Sequence, residues 1–245
     1  GMKTTNKKRK LTPEELSKRK SEQKEKRLKR QFKNKIKRVF ILAGFSYINS
    51  ENHHFDIGLR TVEIDALFFF ENIVLVCEDT CTSSRKELKK HIRNKHEAFE
   101  QIEHSKKDFL NWIESEFTEY TNPTQYNENQ VVIKYLYFSQ CDMDLSQNEI
   151  DLYPLITFVE PRSLEYLSKM AKCIRKSIRY EVFRFLKISD NQIGANTNES
   201  SQKRIEATII SPQESTGLKD GVRIVSFMMS AETLIKNAYV LRKDN

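Results

Sequence analysis

Glycine is scarce in this chain, with six among 245 residues. No glycine-rich phosphate loop is present, which argues against an ATP-driven enzyme. No Gly-x-Ser-x-Gly occurs and no Cys–His nucleophile pair stands out, which argues against a serine hydrolase. Cysteine is also sparse. The four thiols, Cys77, Cys81, Cys141 and Cys173, fit neither a zinc pattern nor a disulfide framework. Cys77 lies in an apolar strand and Cys173 on a helix, where a free thiol packs as a small hydrophobe, so a reducing cytoplasm is expected. No apolar run reaches membrane-spanning length: the run 66–70 is broken by Glu71-Asn72, and the next stops at Glu78. The basic start is not followed by the apolar stretch of a signal peptide.

Charge is plentiful but segregated. The chain carries 42 Lys+Arg against 34 Asp+Glu, a net of +8. Residues 1–38 hold 17 of the basic residues and four of the acidic ones, a net of +13, which leaves −5 for the remainder. A basic arm on an acidic body is a footprint of nucleic-acid contact, because each neutralised phosphate releases counterions. Lys7, Lys8, Arg9, Lys10, Lys18, Arg19, Lys20, Arg27, Lys29 and Arg30 are the expected phosphate contacts. Such contacts are blind to base sequence. A solvated helix, or one docked on an acidic protein or a second copy in a homodimer, is the competing reading of the same residues.

Hydrophobic periodicity divides the rest. Thr12-Pro13-Glu14-Glu15 is a helix start, with a capping hydroxyl, proline in the first turn and early acids. The helix runs to Gly44. Its first half lacks an apolar stripe; from Phe32, the residues Ile36, Val39 and Phe40 recur at helical spacing. A first strand and a polar turn fall within 44–57. Strands at 62–70 and 73–80, rich in β-branched and aromatic residues with a short break between them, read as a hairpin. Helical packing follows over 85–119, then a loop at Asn122-Pro123-Thr124, a strand at 131–138, a short strand at 155–159 and one long amphipathic helix at 161–186. Beyond a polar loop, strands at 205–210 and 222–228 and a helix near Ser230 are expected. Three units result: an arm over 1–28, an α/β domain over 29–160, and a helical linker leading into a second α+β module over 161–245.

Two acids stand out on the expected hairpin. Asp65 lies near the start of one strand and Glu78 near the end of its partner, so both come to one end of the sheet. Hard carboxylate oxygens held there suit a divalent cation. Glu78 and Thr80 share a strand face, and a glutamate ending the run Ile-Val-Leu-Val-Cys is unusual without a partner.

The order helix, three strands, helix, strand, together with Asp65 and Glu78-Asp79-Thr80, resembles the PD-(D/E)xK nuclease superfamily with its restriction-endonuclease-like fold. The resemblance covers about 29–138, including the first helix, which closes at Ala43-Gly44-Phe45 as the family's often does. It implies a mixed sheet flanked by helices and phosphodiester hydrolysis with Mg²⁺ or Mn²⁺ on Asp65, Glu78 and the Asp79 carbonyl. It also implies a nucleic-acid partner, DNA being expected, in modification, restriction or phage defence. Thr80 stands where the family carries its lysine, and Gln31 where its first helix often carries a glutamate. Gln31 is then expected to position the metal or its water, and Lys86 to replace the lysine, with Lys89, Lys90 and Arg85 as alternatives. The C-terminal part, ending in Ala238-Tyr239-Val240-Leu241-Arg242, is similar to proteins with a DGQHR-type domain, although that motif does not occur. The stop on Arg242-Lys243-Asp244-Asn245 is what a piece of a longer protein would show.

The competing class is a nuclease fold with a decayed site, kept for binding nucleic acid or protein. On that reading Asp65 and Glu78 lie at exposed strand ends and 85–95 is a solvated helix face. A rival metal site would use His53, His54 and Asp56. His91 and His96 are five apart, which puts them on different helix faces.

Overall fold

The computed structural model describes residues 8–118 and 126–194. Its first element is α1 (Pro13–Leu42), and its start is as the sequence predicts. The Thr12 hydroxyl accepts from the Glu15 N–H at 3.2 Å, and the Glu15 carboxylate accepts from the Thr12 N–H at 3.0 Å, which satisfies two of the amides orphaned at a helix start. Residues 16–31 of this helix are exposed along their whole length. Inward-facing apolar residues begin at Phe32 and continue with Ile36, Val39 and Phe40. The end is fixed by Gly44 at φ +92°. The Gly44 N–H reaches the Ile41 carbonyl and the Phe45 N–H reaches the Phe40 carbonyl, while the Phe45 ring meets Phe40 edge-on at 5.7 Å. This is a Schellman closure with its hydrophobic contact.

The chain continues through β1 (Ser46–Asn49), β2 (His54–Ile57), β3 (Arg60–Glu63), β4 (Ala66–Phe70) and β5 (Ile73–Thr80). Helices α2 (Arg85–His104) and α3 (Lys106–Glu116) cross back to β6 (Val132–Ser139). A short α4 (Gln147–Asp151), β7 (Ile156–Val159), α5 (Pro161–Ile174) and α6 (Ile178–Phe185) complete the described chain. Five strands form one sheet in the order β1-β4-β5-β6-β7. The β1–β4 and β4–β5 pairs are antiparallel; β5–β6 and β6–β7 are parallel. The protein is therefore α/β, with a mixed five-stranded sheet flanked by helices.

The centre of that sheet is β5, buried from Ile73 to Glu78. Its alternation serves two cores. Ile73, Leu75 and Cys77 face α1, α5 and α6, where Phe40, Phe68, Phe138, Leu164, Met170 and Phe183 pack together. Val74 and Val76 face α2 and α3, where Ile92, Phe99, Phe109, Tyr135 and Tyr137 gather. A strand covered on both sides reads as a continuous apolar run, and 73–77 does.

Three expectations need correction. The expected strand 62–70 is two strands. β3 pairs with β2 in a separate two-stranded sheet, and the chain leaves the ladder at Ile64-Asp65, where the Ile64 carbonyl accepts from the Ser50 hydroxyl at 2.6 Å. The expected long helix 161–186 is broken at Arg175, whose φ is +46°, by a 3₁₀ turn over Arg175–Ser177. The helical run 85–119 is two helices that meet at Ser105 and end at Glu116. The loop at Asn122-Pro123-Thr124 and the strands and helix expected beyond residue 200 lie outside the described residues, as does Lys7. Among the described residues no helix is long and apolar enough to cross a membrane.

Gly44→Ala tests the helix closure. An added Cβ would force an L side chain into positive φ and come within 2.7 Å of the Arg179 guanidinium, which stacks on Phe70 at 4.0 Å. The substitution is expected to cost about 1–2 kcal/mol in urea denaturation.

Candidate functional site

Ala66 pairs with Cys77, so one step further along the antiparallel register Asp65 faces Glu78. The structure brings the two acids together as the sequence implies, though Asp65 sits just before its strand. The break that releases it lets the Asp65 Oδ2 accept from the Asp79 N–H at 3.0 Å. Glu78 is not at an exposed end: its side chain is 1% exposed. Burial pushes the Glu78 carboxyl well above its ordinary range, Asp65 adds to the shift, and Lys95 opposes it. Burial would raise Asp65 too, but a hydrogen bond from Glu78, the nearby Lys33 ammonium and the Asp79 N–H together hold it below its usual value. The same environment thus pushes two neighbouring carboxyls in opposite directions, Glu78 up and Asp65 down.

The cation beside Glu78 is Lys95. Its ammonium donates to Glu78 Oε1 at 2.9 Å and to the Glu63 carbonyl at 2.8 Å. Lys86, expected in this role, lies elsewhere. It is exposed on α2 and lines a separate groove with Lys89, Lys90 and Arg93, where Lys89 pairs with Glu149 at 3.4 Å; Arg85 pairs with Asp144 and Glu149. The signal for Lys95 was present in the sequence. Leu88, Ile92, Phe99 and Ile102 form the buried stripe of α2, and position 95 falls on that stripe by three- and four-residue steps. A lysine there must carry its charge to the sheet. One turn earlier, His91 Nδ1 lies 2.6 Å from the Tyr137 hydroxyl, and Tyr137 is registered beside Glu78 on β6. Burial, then Lys95, lowers the His91 pKa, which favours the uncharged imidazole. Thr80 hydrogen-bonds the Tyr137 hydroxyl and presents no charge.

The opposite face of β5 carries Asp79. Its Oδ2 accepts from Lys33 Nζ at 3.0 Å, and the same ammonium lies 3.7 Å from Asp65 and 3.8 Å from Glu51. Asp65 therefore stands between two lysines on opposite sides of the sheet. Lys33, Asp65 and Asp79 line an open cavity between α1 and the sheet. Gln31, expected here from α1, is exposed and lines no part of it; Lys33, two residues on, occupies the place.

The remaining candidates are scattered. His53 pairs with Glu116 at 2.7 Å, His54 lies 4.0 Å from Glu63, and Asp56 accepts from the Thr61 hydroxyl, so they form no shared site. His96 pairs with Glu100 and meets the Tyr153 ring, away from the Tyr137 contact of His91. In the arm, Lys8, Arg9, Lys10, Lys18, Arg19, Lys20, Arg27, Lys29 and Arg30 are exposed; Arg9 pairs with Glu15, and Lys29 with Glu25. Among the described residues no trio of His, Cys, Asp or Glu side chains is arranged to hold a metal ion. No family model, curated protein or solved structure matches the chain.

The buried acids predict a specific pH response. Burial, then Asp65, raises Asp79 to about 6, against the opposing pull of Lys33. A carboxyl with a raised native pKa binds its proton more tightly in the folded state, so its contribution is complete below pH ~4 and is lost as pH rises through about 6. Asp79→Asn should remove that loss. Unfolding free energies from urea titrations at pH 4 and pH 7 are expected to diverge between parent and variant by on the order of 2–3 kcal/mol, with the variant gaining relative stability at the higher pH.

Proposed function

We propose that this chain is a divalent-metal-dependent nuclease of the PD-(D/E)xK type, acting on nucleic-acid phosphodiesters in DNA modification, restriction or defence. The observation that carries the reading is Lys95 hydrogen-bonded to Glu78, opposite Asp65. It supplies from α2 the cation that Thr80 does not. The order α1, β1, β4, β5, α2, β6, with two antiparallel pairs followed by a parallel one, supports the restriction-endonuclease-like architecture.

The donors suit a hard cation. Asp65 and Glu78 press two carboxyls together in a buried place, where burial first and then the Asp65 charge raise Glu78, an effect that positive charge beside them opposes. Asp65, Glu78 and the Asp79 carbonyl would hold Mg²⁺ or Mn²⁺, which supplies a water of lowered pKa and a Lewis acid for a phosphoryl oxygen. Asp65, anionic at neutral pH, accepts a hydrogen bond from the attacking water and orients it. Lys95 adds positive charge to the acid cluster from the α2 side. The Lys33 ammonium, hydrogen-bonded to Asp79 and 3.7 Å from Asp65, presents a cation to phosphate in the cavity. Tyr137, His91 and Thr80 hold the ends of β5 and β6 beside α2.

A second reading, a nucleic-acid-binding fold with a decayed site, is favoured by the 1% exposure of Glu78 and by a lysine already paired with each side of the acid cluster. Supercoiled plasmid and labelled single strands incubated with Mg²⁺ or Mn²⁺ separate the two. The nuclease reading expects cutting by the parent, loss of at least ~100-fold in Asp65→Ala and in Lys95→Gln, and no change in Lys86→Ala. Thermal melts confirm that each variant is folded. Failure of the parent to cut with either ion, while it still binds, leaves the second reading.

A further inference from the structure

The cavity between α1 and the sheet has a volume of about 340 Å³. One wall is a stripe of cations. Lys26, Lys29, Arg30, Lys33 and Lys37 all line it, and steps of three and four residues put them above one another on one helix face. The carboxylates at the floor are Glu51, Asp65 and Asp79, so positive charge is in excess. Arg19 continues the same face outward along the exposed half of α1, about 10 Å beyond Lys26. The facing wall holds Tyr47. Its ring packs on Phe68 at 5.3 Å, and the Lys37 ammonium lies over it, 4.6 Å from the centroid.

These features belong together as a site for unpaired nucleic acid. Single-strand binders join a cationic groove that follows the backbone to an aromatic platform on which a base stacks. A cavity of this size is at the lower end of the ~300–1,000 Å³ of small-ligand sites. It has room for one nucleotide and not for two paired strands. A base inside a duplex is stacked on its neighbours and is not free to reach Tyr47. Lys37 covers the ring as a cation does on an aromatic face, and its flexible stem lets it move from ring to phosphate.

We propose that the cavity takes one nucleotide of a single strand, with phosphates on Lys26, Arg30 and Lys33 and the base on Tyr47. The strand then passes Asp65 and Asp79. That this delivers a phosphodiester for cleavage rests on the nuclease reading; the binding does not.

Fluorescence anisotropy with the full chain in EDTA tests it, using labelled oligothymidylate, oligouridylate and a blunt duplex of equal length. At least one single strand is expected to bind ~10-fold or more tightly than the duplex. Tyr47→Leu should weaken that binding ~5- to 100-fold without changing duplex affinity, and Tyr47→Phe, which keeps the ring, should retain it. Arg30→Gln, a surface change, should lower the slope of log affinity against log salt by about 0.7 for a single strand. Duplex bound as tightly as either single strand overturns the proposal. So does Tyr47→Leu with unchanged affinity, or Arg30→Gln with an unchanged slope. Tight, Tyr47-dependent single-strand binding by a chain that never cuts upholds this inference and overturns only the nuclease reading.

Discussion

The burial of β5 on both faces is the constraint on which the rest of the structure depends. A strand covered by helices on either side sends alternate residues into two separate cores, and here the alternation continues past the apolar run into its acids. Glu78 follows Val74 and Val76 toward α2; Asp79 follows Leu75 and Cys77 toward α1. Two adjacent carboxyls therefore enter different environments. Each needs its own cation, because an unpaired buried charge costs several kcal/mol. Lys95 and Lys33 answer that need from opposite sides.

Asp65 links the two halves. It sits at the register position facing Glu78, and its carboxylate also accepts the Asp79 N–H and lies near Lys33. This is possible because the chain breaks out of its ladder before β4. The β2–β3 hairpin adds a second small sheet against α3, and the Ser50 hydroxyl takes the carbonyl that the ladder would otherwise use. A regular strand through 62–70 would have spent that geometry on pairing. The acid cluster is then asymmetric: the Glu78 side is closed and the Asp79 side opens into the cationic cavity. Access to Asp65 is from the side of α1.

Much of the frame was legible locally. The Thr12 cap, the Gly44-Phe45 stop, the apolar strand at β5 and the apolar face of α1 from Phe32 are decided within a few residues, by capping, by positive φ and by periodicity. The convergence of Asp65 with Glu78 was legible too, because a short hairpin sets its own register. Lys86 was the natural lysine to choose from nearness in sequence to Thr80, but the choice depends on which face of α2 meets the sheet. Leu88, Ile92, Phe99 and Ile102 decide that face, and it is Lys95 that they carry inward. The position of Gln31 has the same cause: the buried positions of α1 turn residue 33, and not 31, toward the cavity.

What the sequence determined by itself was the start and stop of α1, the buried run of β5 and the presence of an acid pair on neighbouring chain segments, since propensity, capping and hairpin register act over short distances. Only the tertiary structure decided which lysines serve those acids, that Glu78 is sealed while Asp79 is open, and that the basic stripe of α1 faces Tyr47. Those outcomes depend on the rotation of two helices against a sheet. That rotation is set by the packing of the Phe40 and Phe99 clusters on opposite faces of β5, and no short stretch of chain contains it.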